Sequence, residues 1–379
     1  MRYDAVVIGG GPAGCRTAAL MASEYDVLIL EEHPQPGLPV QCAGLLSDEA
    51  LSLTGVKPDI LNDMYGARIV FPDGNETTVR SSKRLMRVVD RAQMDSMMAD
   101  AARDAGAEIQ CGTKFTGSVP DSEGRKVNHT NGTAECRVLV GADGPRSTVS
   151  KELGNPGPKE NLVGIQAEVR KPSDDDYFTS YLGSEHAPGF FTWEVPCGDF
   201  TRIGLCTVGE PPFPYLKKYL KREGLEDRVI RYGCGRIPLG FRGRSYGDAC
   251  ALVGDAAAQV KPVSGGGVHP GLRSAAILAD YLSLALNEGD LSAVNLSGYE
   301  SRWKAEVGAD LEKGYKLRRR FVKMSDGDLS LAGRFARRDD VRSVLNDIDI
   351  DHPDLVVRRI LKSPRMSMHA LALLGRLAL

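Results

Sequence analysis

The chain of 379 residues is 42% hydrophobic and 26% charged, with a formal net charge of −2. That length has room for one large or two medium domains with cores of their own, and the composition is that of an ordinary folded chain, neither disordered nor membrane-spanning. Near-neutrality argues against nucleic acid as the main partner, because phosphate binding usually leaves a basic surplus. No run of about 18 uncharged apolar residues is present, so no helix is expected to span a bilayer. An apparent strand begins about three residues in (MRYDAVVIGGG), which leaves no room for a leader, and a cytoplasmic location is expected. The eight cysteines (Cys15, Cys42, Cys111, Cys136, Cys197, Cys206, Cys234, Cys250) lack CxxC spacing, so mostly buried free thiols and no metal site are expected.

In chain order, residues 4–8 form a short apolar run that ends in glycines. A helical stretch over about 12–23 follows, then a second apolar run, 27–30, closed by Glu31. Strand, turn, helix, strand is the βαβ unit of a parallel sheet. Residues 67–79 read as two extended runs around Asp73-Gly74, a hairpin signal. Residues 95–105 carry helical periodicity, with Met94, Met97, Met98 and Ala101 on one side, and 137–140 read as another buried strand. From about 161 to 208 the alternating, aromatic-rich segments LVGIQAEV, YFTSYLG, FFTWEVP and TRIGLCTV predict an antiparallel sheet, hence a second domain. Parallel-sheet character returns at 249–253, and from about 295 onward the chain reads as basic and helical. With no internal repeat and no low-complexity linker, the sheet domain is read as an insertion into a nucleotide-binding one.

Three glycine clusters carry the chemistry. The first, Gly9-Gly10-Gly11-Pro12-Ala13-Gly14, fits GxGxxG directly after a strand and at the opening of a helix, with Glu31 ending the next strand. In that setting Gly9 permits the tight turn, Gly11 lets a pyrophosphate approach the backbone, and Gly14 lets helix and strand pack closely. The helix start offers N–H donors and positive dipole to phosphates, and Glu31, in preference to Glu32, accepts from ribose hydroxyls. The second cluster, VLVGADGPRSTVSK at 138–151, resembles the GADGxxSxVR-like signature of FAD-dependent hydroxylases and their relatives. That resemblance implies that Asp143 and Gly144 shape the backbone near the cofactor, with Arg146 and Ser147 at the next helix start. The third, ACALVGDAAAQVKPVSGGGVHPGLRSA at 249–275, resembles the GD motif of the same superfamily. It implies that Asp255 hydrogen-bonds the ribityl chain and that Gly265-Gly266-Gly267-Val268 leads into a helix whose positive end faces the flavin and stabilises its reduced form. A nicotinamide enzyme needs the first cluster alone, so FAD is the expected cofactor. No second GxGxxG is present, so electrons are expected from an external donor: ferredoxin, NADPH or a reduced deazaflavin.

Two further segments narrow the family. EEHPQPGLPVQCAGLLS places Cys42 shortly after Glu31, and APGFFTWEVPCGD at 187–199 resembles the PxGYxWxFP pattern of the geranylgeranyl reductase family. VDRAQMDSMMADAARDAGAEI and LEKGYKLRRRFVKMSD also resemble that family, so the likeness extends over nearly the whole chain. Its archaeal members saturate isoprenoid double bonds of membrane lipids. The resemblance implies a p-hydroxybenzoate-hydroxylase-like fold of the α/β class (α+β overall): a Rossmann-like FAD-binding domain (1–62, 82–158 and 240–294), an inserted antiparallel β-sheet substrate domain (63–81 and 159–239) and a C-terminal helical region (295–379). By position it implies FAD contacts at Ala13, Glu31, Cys42, Ala43, Arg91, Gln93, Asp255, Gly266, Gly267 and Val268. The chain departs from the pattern at Phe190-Phe191, usually Gly-Tyr, at Val195, usually Phe, and at CAGLL, where CAEG is common.

In an extended strand Phe191, Trp193 and Val195 share one face, and Phe190, Thr192 and Glu194 the other. The first face is either a core stripe or an apolar wall for a polyprenyl chain, with Tyr181 and His186 as further lining residues. The implied reaction is alkene reduction, and an unactivated alkene needs protonation ahead of, or coupled to, hydride transfer. Cys42 is the first candidate for proton donor, followed by His186, Tyr181 and His269, the last of which is alternatively a helix cap. Two rivals stand beside this reading. One is a flavin monooxygenase or halogenase acting on a hydrophobic or aromatic substrate, since FTWEVP partly resembles the WxWxIP of halogenases with Phe191 at the first Trp. The other is an electron carrier or binding module without turnover. Lys316, Arg318, Arg319, Arg320 and Lys323, then Arg358, Arg359, Lys362, Arg365 and Arg376 around the apolar run 366–379, read either as ordinary helices or as peripheral contact with the anionic inner face of the membrane, where a lipid would enter.

Overall fold

The computed structural model describes residues 2–346 together with Arg359. Strand Arg2–Ile8 lies between Val27–Leu30 and Gly132–Gly141, parallel to both, with Ala5 opposite Val27 on one side and Val138 on the other. Glu108–Gln110 and Cys250–Leu252 extend the parallel order at the two flanks. These strands read as unbroken apolar runs because both faces are covered. Ala5, Val7, Ile29, Val138 and Val140 pack against Met94, Met98 and Leu272 of the helices, whereas Val6, Ile8, Leu28 and Leu30 pack against Phe115 and Val127. The latter belong to an antiparallel hairpin, Phe115–Asp121 and Gly124–His129, which the sequence reading had not placed.

A seven-stranded sheet forms the second layer, in the order Val229–Leu239, Glu160–Val169, Thr201–Thr207, Phe191–Pro196, Tyr177–Leu182, Gly66–Val70, Glu76–Arg80. The expected hairpin around Gly74 is present, and its first strand joins Tyr177–Leu182 in parallel, the one departure from an antiparallel ladder among the described pairs of this sheet. A small sheet of Leu45–Leu46, Met86–Val89 and Ile60–Met64 bridges the two layers.

The C-terminal helices are not an appendage. Leu296, Tyr299 and Trp303 of helix Ala293–Trp303 lie in the same core as the parallel sheet, and the Tyr299 hydroxyl donates to the Leu252 carbonyl at 2.9 Å. Arg318, one of the basic residues read either as part of an ordinary helix or as a membrane contact, is 1% exposed and paired with Glu160 at 2.6 Å. Its place on the helix explains the burial: Leu311, Tyr315 and Arg318 share one side of helix Ala309–Phe321, and that side packs inward. Of the basic residues beyond 346 and the run 366–379, all but Arg359 lie outside the described residues. Among the described residues no helix is long and apolar enough to cross a membrane.

Candidate active site

Three backbone turns meet where the parallel strands end. A Cβ on Gly9, whose φ is +104°, would lie 2.5 Å from the Ala142 carbonyl oxygen, and one on Gly14 would lie 2.0 Å from the oxygen of Gly9. A Cβ on Gly11, by contrast, would meet nothing within 4 Å. Helix Pro12–Met21 starts there with no side-chain cap and no acid in its first turn, so its first N–H groups are left for an anion. Gly144, at φ +70°, opens on similar empty space. A Cβ on Gly254 would lie 2.9 Å from that of Ala13, which brings the third cluster onto the first helix start. Helix Val268–Glu288 is likewise uncapped at Gly267, where a Cβ would approach Oδ1 of Asp255 to 2.7 Å; Gly266 beside it has only Ser264 Oγ near, at 3.5 Å.

The charged groups around this hollow are incompletely paired. Glu31 is buried, with Oε2 accepting from Gly10 N at 2.7 Å and Oε1 from His33 N at 2.8 Å, while His33 Nδ1 lies 2.6 Å from Oε1. Asp143 caps Thr148 N and Val149 N through Oδ2 at 2.6 and 3.2 Å, its Oδ1 is buried without a partner, and burial raises its pKa. Burial also pushes Asp255 up to about 6, against the pull of the Arg91 and Arg242 guanidiniums. Arg91 grips Asp95 through Nε and Nη2 at 3.0–3.1 Å, and Cys42 is near enough to act on its charge. Open cradles, uncapped helix starts and unpaired buried charges fit a dinucleotide.

Cys42 is held from the opposite layer. Nε2 of Gln166 donates to the Cys42 carbonyl at 3.4 Å. The buried Arg202 donates through Nη1 to the carbonyls of Ala43 and Val89 at 2.9 and 3.1 Å, and its Nε meets Glu168 at 3.3 Å. Gly44, at φ +80°, is required here, since a Cβ would sit 2.5 Å from that Nη1. Beside this loop a cavity of 370 Å³ opens between Leu38, Pro39 and Val40 on one side and Gln166, Glu168 and Arg231 on the other.

The aromatic wall borders the third glycine cluster. Phe190 stacks on Phe191 at 4.3 Å, Phe191 meets Trp193 edge-on at 6.1 Å, and a Cβ on Gly265 would lie 3.4 Å from Phe190 Cζ. Phe190 precedes the strand, which begins at Phe191, so strand alternation does not govern it, and it joins its neighbours' side instead of the opposite one. Tyr181 and His186 are not brought to this wall. Ser180 is opposite Trp193 and Tyr181 opposite Thr192, and directly paired residues share a face. Tyr181 therefore packs with His186 and Tyr219 at 5.4 and 5.3 Å, under helix Phe213–Arg222 on the far side of the sheet. Gln93 is also turned away, with both amide atoms engaged by Asp59 at 2.6 and 2.9 Å. His269 is buried at the start of helix Val268–Glu288, with Nε2 3.0 Å from Glu49.

Gln166, Glu168, Arg202 and Arg242 escaped the motif reading. For the first two a signal existed: in VGIQAEV they alternate with apolar residues and mark a polar face, which the Cys42 loop then covers.

Residues 2–212 match the model of a family described as FAD binding domain. A digeranylgeranylglycerophospholipid reductase of Methanothrix thermoacetophila is 31% identical over 365 residues, 90% of this chain and 93% of that one. An uncharacterized protein of Methanocaldococcus jannaschii is 31% identical over 377 residues, 95% of each. The chain belongs to the geranylgeranyl reductase family. A crystal structure of a geranylgeranyl bacteriochlorophyll reductase-like protein from Thermoplasma acidophilum shares the fold of this family member, with a TM-score of 0.85 and 23% identity over 98% of this chain and 99% of that one. FAD is the cofactor of this reductase-type oxidoreductase, in keeping with the three glycine clusters.

Proposed function

We propose that the chain saturates C=C bonds of geranylgeranyl chains in isoprenoid ether lipids of the archaeal type. The observation that carries this reading is the Phe190–Phe191–Trp193 wall, set between the Gly265–Gly267 turn and the sheet face that holds the Cys42 loop. In this reading Gly9, Gly11, Ala13 and Gly14 receive the FAD pyrophosphate, Glu31 the ribose hydroxyls and Asp255 the ribityl hydroxyls, with Asp143 and Gly144 alongside. Cys42, Ala43, Arg91, Gly266, Gly267 and Val268 surround the ring. Held by these residues, the flavin would supply the hydride for one alkene carbon once reduced. Phe191 and Trp193 lay the prenyl chain in place and exclude water, each buried methylene contributing about 0.8 kcal/mol. Sγ of Cys42 donates the proton to the other carbon, and the neighbouring Arg91 offsets the charge left on sulfur. The donor of electrons is external. Exposed Leu317 and Val322, set among Lys316, Arg319, Arg320 and Lys323, favour peripheral contact with an anionic bilayer that delivers the lipid.

The test is anaerobic incubation of dithionite-reduced protein with digeranylgeranylglyceryl phosphate, read by mass spectrometry. Mass gains in steps of two hydrogens are expected, together with a strong loss of rate in Cys42→Ala. An unchanged lipid, or turnover that requires oxygen and adds it to the product, overturns the proposal.

A further inference from the structure

Arg242 lies where the chain returns from strand Val229–Leu239 of the second layer to Tyr246–Gly247 of the first. Its position is fixed on one side by Phe241, which packs edge-on against the buried Trp303 at 5.0 Å. The side chain does not run to solvent: Arg242 is 8% exposed, its Nη2 donates to the Pro145 carbonyl, and its Nε is buried with no partner. Asp143 and Asp255 both act on its charge, yet no bond joins either carboxylate to it among the described contacts. The Nε is thus a buried donor without an acceptor, a need that an anion beside it would meet.

The segment that Arg242 bonds to borders the open space left by Gly144, and Gly11 opens on empty space as well. Pro145 directly follows Gly144, and Asp255 follows Gly254, which packs on Ala13 at the uncapped helix start. A helix end supplies only about half a charge, whereas a pyrophosphate brings two negative ones into a site already holding Asp143 and Asp255. A planar guanidinium, always charged and rich in donors, meets that need. We infer that Arg242 is a FAD-binding residue that contacts the pyrophosphate, supplied by the returning segment and belonging to none of the glycine motifs. The inference rests on FAD as cofactor and is independent of the prenyl substrate, because its readout is cofactor binding without turnover.

The experiment is titration of apoprotein with FAD and, separately, with ADP, which carries a pyrophosphate but no flavin, for the parent, Arg242→Met and Arg242→Lys. Arg242→Met is expected to weaken both ligands about 10- to 100-fold and to flatten the salt dependence of binding, a loss larger than any fall in apoprotein stability accounts for. Arg242→Lys keeps a charge without the fork and should recover part of the affinity; it is the arm that reads affinity if Arg242→Met does not fold. Unchanged FAD affinity in the folded variants overturns the inference. So does a loss confined to FAD with ADP unaffected, which places the guanidinium at the flavin end. Apoprotein melting that falls in step with affinity also overturns it, since Arg242 would then serve only to balance Asp143 and Asp255.

Discussion

The indole N–H of Trp193 donates to Oε1 of Gln166 at 3.0 Å. Because the other end of the same amide donates to the Cys42 carbonyl, one planar group ties the aromatic wall to the cofactor loop and fixes the spacing between them. Gln166→Leu keeps the volume but leaves the indole donor and the Cys42 carbonyl unmatched, which is expected to cost about 1–3 kcal/mol of stability in urea unfolding. The visible circular dichroism of bound flavin should change as well. Trp193→Phe leaves only Gln166 Oε1 unmatched, with the Cys42 bond in place, and should cost less on both measures; equal losses in the two variants would sink the coupling.

Arg202 makes the same junction with a charge. Its Nη1 serves two backbone carbonyls, Ala43 of the cofactor loop and Val89 of the small bridging sheet, and its Nε serves Glu168 of the second layer, which Arg231 also holds at 2.7 Å. Arg202→Met strands both carbonyls in the interior and is expected to destabilise by about 3–5 kcal/mol. Glu168→Gln leaves the carbonyl bonds in place and should cost only about 1 kcal/mol. Holoprotein and apoprotein unfolding together check this: Arg202→Met should lose more in the holoprotein, because the loop it anchors carries Cys42 and Ala43.

The parallel unit, the hairpin at Gly74 and the second sheet were legible because periodicity and turn chemistry are local, and the glycine clusters carried the cofactor with them. What sequence could not supply was the pairing of distant strands. Tyr181 reads from sequence as a further lining residue beside Trp193, but its face is set by register, Ser180 against Trp193, which no local pattern encodes. Arg318 is the opposite case. Among three consecutive arginines it alone falls on the Leu311–Tyr315 side, a spacing present in the sequence but hidden by composition. Gln166, Glu168 and Arg202 form a polar strand face that would pass for a solvent face until another layer docks on it.

The first glycine cluster separates space kept for packing from space kept for a ligand. Gly14→Ala places a methyl group 2.0 Å from the Gly9 oxygen, between two backbones that have nowhere to move, and is expected to destabilise the apoprotein by about 1–3 kcal/mol or more. Gly11→Ala meets nothing and should leave apoprotein melting within about 0.5 kcal/mol of the parent, with FAD affinity reduced because the added methyl enters the cradle. Thermal melts of both apoproteins and FAD titrations decide; a Gly11→Ala protein that binds FAD normally would remove the cradle from the site.

Asp255 links the cofactor site to pH. Burial holds its carboxyl at about 6, above an ordinary 3.8, in spite of Arg91 and Arg242. Below about pH 4 the group is neutral in folded and unfolded chains alike and adds no penalty. Above about pH 6 it is charged in both, and the fold bears the cost of burying that charge; a gap of about two pH units corresponds to about 3 kcal/mol. Asp255→Asn removes the charge. The apoprotein of this variant is therefore expected to be more stable than the parent by up to about 3 kcal/mol at pH 8, with the margin shrinking as pH falls from 6 towards 4 and gone below that. FAD affinity should move the other way, falling by about tenfold at pH 8, because an amide is a weaker acceptor for ribityl hydroxyls than a carboxylate. Urea unfolding of the two apoproteins between pH 4 and 8, with FAD titration at pH 8, reads both signs. A variant less stable than the parent at pH 8 would mean that Arg91 and Arg242 stabilise the carboxylate more than burial penalises it.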